Sequence, residues 1–355
     1  MSKVCTVLYG MPGKTEGLDD SSYIYMGFEE GWRWTYLLEL FRLYKCLRTR
    51  RRKLYLVHFY STNLILFGPI VAYLAGVPSI VTVTGFGRVF NNPAFPYKGM
   101  QILYWFLMKL SIRLSQYSLF QNHADMKFIE ERYPGQASKL IFIGSAVDFP
   151  EIKDKDFFAP KLRVLLIARV MPDKGIKDFV RVAEELGNDL WEFVLVGPAS
   201  KGYDDLYKYV RTCHDRGIIS FKGECSSAEV EFQLSQAHIF CFPSYGEGLS
   251  RTMLEAGFAH LCPVAYDISS NRDLVVEGRG FLLPVGDTSS VILTLRRLFA
   301  DRRLLSTCAH SYQSFITENY SMDKYAERMD SLLQDFQKRM HAHDEYNSPN
   351  GPLGS

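Results

Sequence analysis

Two glutamates eight residues apart, Glu247 and Glu255, lie in the stretch Cys241-Phe-Pro-Ser-Tyr-Gly-Glu-Gly-Leu-Ser-Arg-Thr-Met-Leu-Glu-Ala-Gly257. The apolar run Ala237-His-Ile-Phe-Cys-Phe242 before them reads as a buried strand that stops at Pro243. Ser244 to Gly248 then reads as a tight loop, and Leu249 to Phe258 has helix-forming composition. A strand, a glycine-bearing loop and a helix place a ligand at strand carboxyl ends, with backbone N–H groups aimed at an anion. Two carboxylates at such a mouth suit the hydroxyls of a sugar and a ribose. The same pair is also compatible with solvated charges near a helix end.

A second set of chemistry-bearing residues follows the strand Val164–Ala168. Arg169-Val-Met-Pro-Asp-Lys174-Gly175 puts two cations after a strand and a glycine at a helix entrance. Arg169 offers a fork and Lys174 a point charge, a pairing that suits a diphosphate. Taken alone it is also what a surface salt-bridge pair looks like. Together with the glutamate loop, it points to a nucleoside diphosphate.

The elements that must position these residues come in two alternating series. In the first half, Val4 to Leu8, Leu54 to Phe59, Ser79 to Thr84 and Leu140 to Ile143 read as strands, with helical patterns at Trp34 to Arg50 and Ile65 to Ala75. Strands Val164–Ala168, Phe193–Val196, Ile218–Phe221 and Pro263–Tyr266 alternate with helices in the second half. The polar, proline-bearing stretch between them predicts a linker at 151–161. The predicted organisation is a domain over 1–150, a second over 162–320, a helix over 321–341 that packs back across the hinge, and a disordered tail over 342–355. Two β-α-β series argue for an α/β protein with two doubly wound domains.

Composition narrows the class. A chain of 355 residues with 47% hydrophobic and 23% charged residues is a globular protein of about two domains. A net charge of +2 makes no electrostatic case for nucleic acid, although five cations crowd into the six positions Arg48–Lys53. Seven scattered cysteines show neither metal-ligand nor disulfide spacing, which favours a reducing compartment. No signal-peptide pattern is visible, and no apolar stretch reaches the roughly 18 residues of a membrane span.

The segments Ile167-Ala-Arg-Val-Met-Pro-Asp-Lys-Gly175, Val194-Leu-Val-Gly197, Phe221-Lys-Gly223 and Phe242 to Glu255 occur in an order and spacing that resembles the retaining glycosyltransferases of family 4. The resemblance covers the chain from about Trp34 to Tyr325 and implies the GT-B fold, two Rossmann-like domains facing a cleft. Val83-Thr-Gly-Phe-Gly-Arg-Val-Phe90 resembles the branch acting on polyprenyl-diphosphate-linked sugars in bacterial surface-glycan assembly. The implied activity moves a hexose or N-acetylhexosamine from a UDP-sugar to a glycan or lipid-linked sugar. It needs no cofactor and no metal.

Residue roles follow from the resemblance. Arg169 and Lys174 would hold the donor diphosphate and stabilise the leaving nucleotide. Glu247 would contact donor-sugar hydroxyls, the N–H groups of Gly248 and Leu249 would face the sugar and phosphate with Ser250 beside them, and Glu255 would bind the ribose. Gly197, Lys222 and Gly223 would border the nucleoside. Thr84, Gly85, Phe86, Gly87 and Asn122 would face the acceptor. His123 is either a base for the acceptor hydroxyl or a satisfied turn histidine, and His58 and His238 read as structural.

Three departures and one surface qualify the match. Gly10, Gly13 and Gly17 replace the glycine-rich loop only loosely, Ser270 and Asp273 stand where the family has Gly and Glu, and the first domain is about thirty residues short, roughly one β-α unit. These leave open a non-catalytic nucleotide-sugar-binding subunit that needs a partner chain, or a GT-B phosphorylase or epimerase. Trp32, Trp34, Tyr36, Leu37, Phe41 and Tyr44 with Arg42, Lys45 and the basic cluster, and Tyr104, Trp105 and Phe106 with Lys109 and Arg113, suit an anionic membrane surface. They are equally what two core-facing helices with solvated cations look like. The resulting expectation is a cytoplasmic chain peripheral to the inner face of the cytoplasmic membrane.

Overall fold

The structure, a computed structural model, describes residues 4–9, 23–26, 35–52, 54–60, 62–85, 98–147, 149, 155–187 and 189–346. Gly10, Gly13, Gly17, Trp32, Trp34, Phe86 and Gly87 lie outside these residues. Two units emerge, Met1–Phe142 with Gly246–Leu249, and Ile143–Tyr245 with Ser250–Ser355.

In the first unit β1 (Val4–Tyr9), β2 (Tyr23–Met26), β3 (Leu56–Tyr60), β4 (Ser79–Val83), β5 (Tyr117–Phe120) and β6 (Leu140–Phe142) form one parallel sheet in the order β2-β1-β3-β4-β5-β6. Among the described residues no helix lies between β1 and β2. The strands Leu56–Phe59 and Ser79–Val83 are buried throughout, as parallel strands covered by helices must be. Helices Thr35–Arg50, Thr62–Ala75 and Lys98–Leu114 make the crossovers β2→β3, β3→β4 and β4→β5. All three crossovers step the same way across the sheet, so right-handedness puts these helices on one face. Thr62–Ala75 packs between the other two. Gly68 lets that helix close onto Phe59, since a Cβ there would stand 2.7 Å from the ring. The buried His58 shares a 2.7 Å hydrogen bond with Thr82 Oγ1, and burial lowers its pKa to about 4.

The second unit holds β7 (Leu162–Ile167), β8 (Trp191–Val196), β9 (Ser220–Gly223), β10 (Ile239–Phe242), β11 (Cys262–Tyr266) and β12 (Phe281–Leu283), all parallel. Their order, β12-β11-β10-β7-β8-β9, is the doubly wound order 3-2-1-4-5-6. Strand order therefore reverses between β7 and β10, and the crevice outside the carboxyl ends of those two strands is where such sheets bind ligands. Ser226 and Glu229 form a capping box on helix Ser227–Gln236. At the other end of that helix Lys155 Nζ donates to the carbonyls of Leu234, Ser235 (3.1 Å) and Ala237 (2.6 Å). Asp287 and Asp301 cap the helices Thr288–Ala300 and Arg302–Tyr320.

Two expected boundaries move. The first unit ends at Phe142 rather than 150, because Val147 bridges to Ser321 and Arg328 Nη1 donates to the carbonyls of Ile143 (3.4 Å) and Asn319 (2.8 Å). The last helix runs Met322–Tyr346, past the expected end at 341, because no Gly or Pro interrupts the chain before Pro349.

Candidate active site

The loop after β7 is laid down by backbone bonds to the loop after β8. Ala168 N–H donates to the Val196 carbonyl and Val170 N–H to the Pro198 carbonyl, each at 2.9 Å. Gly197 makes the approach possible: at φ 147° a Cβ would stand 2.0 Å from the Ala168 carbonyl oxygen. Its N–H donates to the Gly223 carbonyl at 2.8 Å. Arg169 between these bonds is exposed, as is Lys222 at the end of β9.

Pro172–Lys174 is a single 3-10 turn, closed by Gly175 in the left-handed region at φ 64°. A Cβ on Gly175 would meet the Pro243 carbonyl oxygen at 1.9 Å, so only glycine lets the lysine loop rest on the loop that leaves β10. The Asp173 carbonyl completes the join, accepting Ser244 Oγ at 3.1 Å and Tyr245 N–H at 2.9 Å. The two loops at the switch point are thus knit backbone to backbone. Lys174 is held with its side chain only 9% exposed, its Nζ 3.6 Å from Asp173 Oδ2.

A carboxylate that the sequence did not single out fixes the far side of this join. Asp178, in the first turn of helix Ile176–Leu186, accepts the Tyr245 hydroxyl at 2.7 Å and the Tyr266 hydroxyl at 2.8 Å on one oxygen, Oδ2. The Asp178 hydrogen bond, then burial, pushes the Tyr245 pKa up to about 12. Tyr245 was visible in sequence as part of the glutamate loop. Nothing local marks Asp178 or Tyr266.

Glu255 is one turn into helix Arg251–Phe258, with its side chain 14% exposed and Oε1 2.9 Å from Arg251 Nε. Burial raises its pKa, and the Arg251 bond opposes that shift. Ser250 caps the helix without a side-chain cap bond, its Oγ lying 3.0 Å from Thr252 Oγ1. Past β11, Asn271 Nδ2 donates to the Tyr266 carbonyl at 2.9 Å, and the buried Ser270 hydroxyl has no hydrogen-bond partner among the described residues.

Glu247, Gly248 and Leu249 are half-buried and group with the first unit, where Thr84 and Gly85 follow β4. A Cβ on Gly248 would stand 2.4 Å from the Thr84 carbonyl oxygen. Asn122, expected to face the acceptor, is buried and works as a cap: its Oδ1 accepts Asp125 N–H and its Nδ2 donates to Asp125 Oδ2, both at 2.7 Å. His123 is exposed and stacks on Phe142 at 3.7 Å.

Comparison with known proteins agrees with this architecture. Residues 148–311 match the family described as Glycosyl transferases group 1. The UDP-Gal:alpha-D-GlcNAc-diphosphoundecaprenol alpha-1,3-galactosyltransferase of Escherichia coli is 25% identical over 316 residues, 83% of this chain and 79% of the relative. The stretch from residue 148 to residue 311 is a group 1 glycosyltransferase domain. A second relative of this glycosyltransferase is the N,N'-diacetylbacillosaminyl-diphospho-undecaprenol alpha-1,3-N-acetylgalactosaminyltransferase of Campylobacter jejuni, 28% identical over 211 residues, 54% of this chain and 53% of the relative. Among solved structures, HepE of Anabaena in complex with UDP superposes with a TM-score of 0.76 at 16% identity, covering 94% of this chain and all of that one. Sucrose-phosphate synthase of Thermosynechococcus elongatus gives 0.74 at 14% identity, covering 95% of this chain and 89% of the other. The fold of the glycosyltransferase is GT-B, two Rossmann-like parallel-sheet halves.

Proposed function

We propose that this glycosyltransferase moves a hexose or N-acetylhexosamine, with retention of configuration, from a UDP-sugar to a polyprenyl-diphosphate-linked sugar in surface-glycan synthesis. The observation that carries the reading is the join at the switch point, where the loops bearing Arg169 and Lys174 leave β7 and the glutamate loop leaves β10. As the anomeric C–O bond breaks, negative charge gathers on the diphosphate. Cations fixed beforehand stabilise that charge without reorganising. Arg169 supplies an exposed fork and Lys174 a sequestered ammonium for this purpose. Glu247 would take donor-sugar hydroxyls and Glu255 the ribose, with Lys222, Gly223 and Ser250 along the nucleotide.

The two relatives' names suggest galactose and N-acetylgalactosamine as donor sugars and a diphosphoundecaprenol-linked acceptor. The direct experiment incubates the chain with UDP-galactose or UDP-N-acetylgalactosamine and a polyprenyl-diphosphate-linked GlcNAc. An α-linked disaccharide on the lipid, formed at the same rate in EDTA, is the expected product. Release of sugar 1-phosphate, or no product with either donor, would refute the reading.

The finer localisation, peripheral to the membrane, rests on the first unit. No helix among the described residues is long and apolar enough to cross a bilayer. Leu37, Leu38 and Phe41 are exposed in the N-terminal half of helix Thr35–Arg50, and Ile102, Leu103 and Phe106 in that of Lys98–Leu114. A crossover helix starts where its strand ends, so both rows lie at the carboxyl end of the sheet, the end that carries Thr84 and Gly85. Arg42, Lys45 and Lys109 are exposed near them. Such a face suits anionic lipid. It differs from the expected one: Trp105 is buried and Tyr104 and Tyr44 are half-buried, while Arg48–Arg52 lie at the opposite end of their helix.

A further inference from the structure

The glutamate loop leaves β10 through Tyr245, a residue 43% exposed although both its backbone and its tip are tied down. Its N–H donates to the Asp173 carbonyl at 2.9 Å and its hydroxyl to Asp178 Oδ2 at 2.7 Å. Tyr266, the fully buried last residue of β11, brings its hydroxyl to the same oxygen at 2.8 Å. The two rings meet edge to face at 5.7 Å and 80°. Asp178 lies in the first turn of its helix, where the positive end of the helix dipole favours an ionised acceptor. One oxygen therefore joins the helix after Lys174, the end of β11 and the root of the glutamate loop.

The root needs such a tie. Beyond Tyr245 the chain reads Gly246-Glu247-Gly248, and neither glycine brings a side chain that could help place the glutamate. Pairing of Tyr266 with Leu283 of β12 already fixes its place, so Tyr266 is set by its strand and not by the carboxylate. Tyr245 has no strand neighbour and takes its position from Asp178 and Asp173. A side chain at Gly286 would also meet its hydroxyl, at 3.7 Å from the Cβ.

We infer that Asp178 is a positioning residue for sugar transfer, acting through Tyr245 to set where the Glu247 loop begins. This rests on the reading of Glu247 as the donor-sugar contact. The two tyrosines supply an internal control, because Tyr245→Phe and Tyr266→Phe each delete one bond of nearly equal length to the same oxygen. A purely structural cluster would make both variants lose melting temperature and activity together. A positioning role separates them.

The experiment measures UDP release from whichever of UDP-galactose and UDP-N-acetylgalactosamine the wild type consumes, UDP affinity by calorimetry, and melting temperature. Tyr245→Phe is expected to lower kcat about tenfold, as small misplacements do, with UDP affinity unchanged. Tyr266→Phe should keep kcat within about twofold while losing the same stability. Asp178→Ala should match Tyr245→Phe, and adding Tyr245→Phe to it should cost no further activity. Equal kcat losses in the two tyrosine variants, or wild-type kcat in Tyr245→Phe, would overturn the inference. A wild type that neither binds UDP nor consumes either donor would overturn the donor-site reading itself, and the inference with it.

Discussion

The carboxyl ends of the two sheets are finished in different ways. In the second unit, Gly175 on the Pro243 carbonyl, Gly197 on the Ala168 carbonyl and the Asp178 carboxylate lock neighbouring loops together. The corresponding end of the first sheet carries an Asn122-capped helix and two rows of exposed apolar side chains. A site that must meet charge developing on a diphosphate gains from rigid, prepaid donors. A surface that meets a lipid-linked acceptor gains from apolar area that any neighbouring chain can adopt. Under the proposed function, chemistry falls to the second unit and substrate capture to the first.

The sharpest way to break this contrast is at the lysine loop. Lys174→Ala should lower kcat by about 10²–10³ with little change in stability. Gly175→Ala should lose the same activity and also about 3 kcal/mol of stability in urea titration, from left-handed backbone strain and the Pro243 contact. Full activity in Gly175→Ala would show that the join does not matter.

Acid should act on both units alike, which sharpens the comparison by isolating what they share. His58 and His238 are each lowered by burial from 6.5 to about 4, and His238 Nδ1 accepts the Arg163 N–H at 3.0 Å. Between pH 6.5 and 4 the unfolded chain takes up protons that the folded chain refuses. Stability is therefore complete above pH 6.5 and is lost as pH falls, by about 3 kcal/mol per histidine. His238→Asn and His58→Gln should each flatten part of that slope in urea titrations from pH 7 to 4.

Charge reversal on the apolar rows tests the other half of the contrast. Leu37→Glu with Phe106→Glu should abolish flotation with anionic vesicles and raise KM for the lipid-linked acceptor about tenfold, leaving UDP affinity alone. Unchanged flotation would remove the membrane from the account. The smallest effect belongs to Glu255. Its burial raises the carboxyl pKa above the ordinary 4.5, so donor KM should begin to rise on the acid side earlier than for an exposed glutamate. Glu255→Gln should make that limb flat.

The pattern of what was legible in sequence follows from locality. The strand, glycine loop and helix around Glu247, and the Arg169–Gly175 run, are contiguous and were readable as such. Why Gly175 and Gly197 must be glycine was not, because each answers a carbonyl on another strand's loop. The Asp178–Tyr266 bond spans 88 residues and leaves no periodic trace. Helix Lys98–Leu114 misled for another reason. It is apolar nearly all round, so its phase could not be read, and Trp105 fell inside while Ile102, Leu103 and Phe106 fell outside.

The central claim, that Arg169 and Lys174 hold a nucleotide diphosphate, is tested most directly by titrating UDP and UMP into the wild type, Arg169→Ala and Lys174→Ala by calorimetry. The wild type should prefer UDP by about tenfold or more, the worth of one charge-assisted hydrogen bond, and each variant should lose that preference while keeping its affinity for UMP. Equal affinity for UDP and UMP in the wild type, or a preference that survives in both variants, would contradict it.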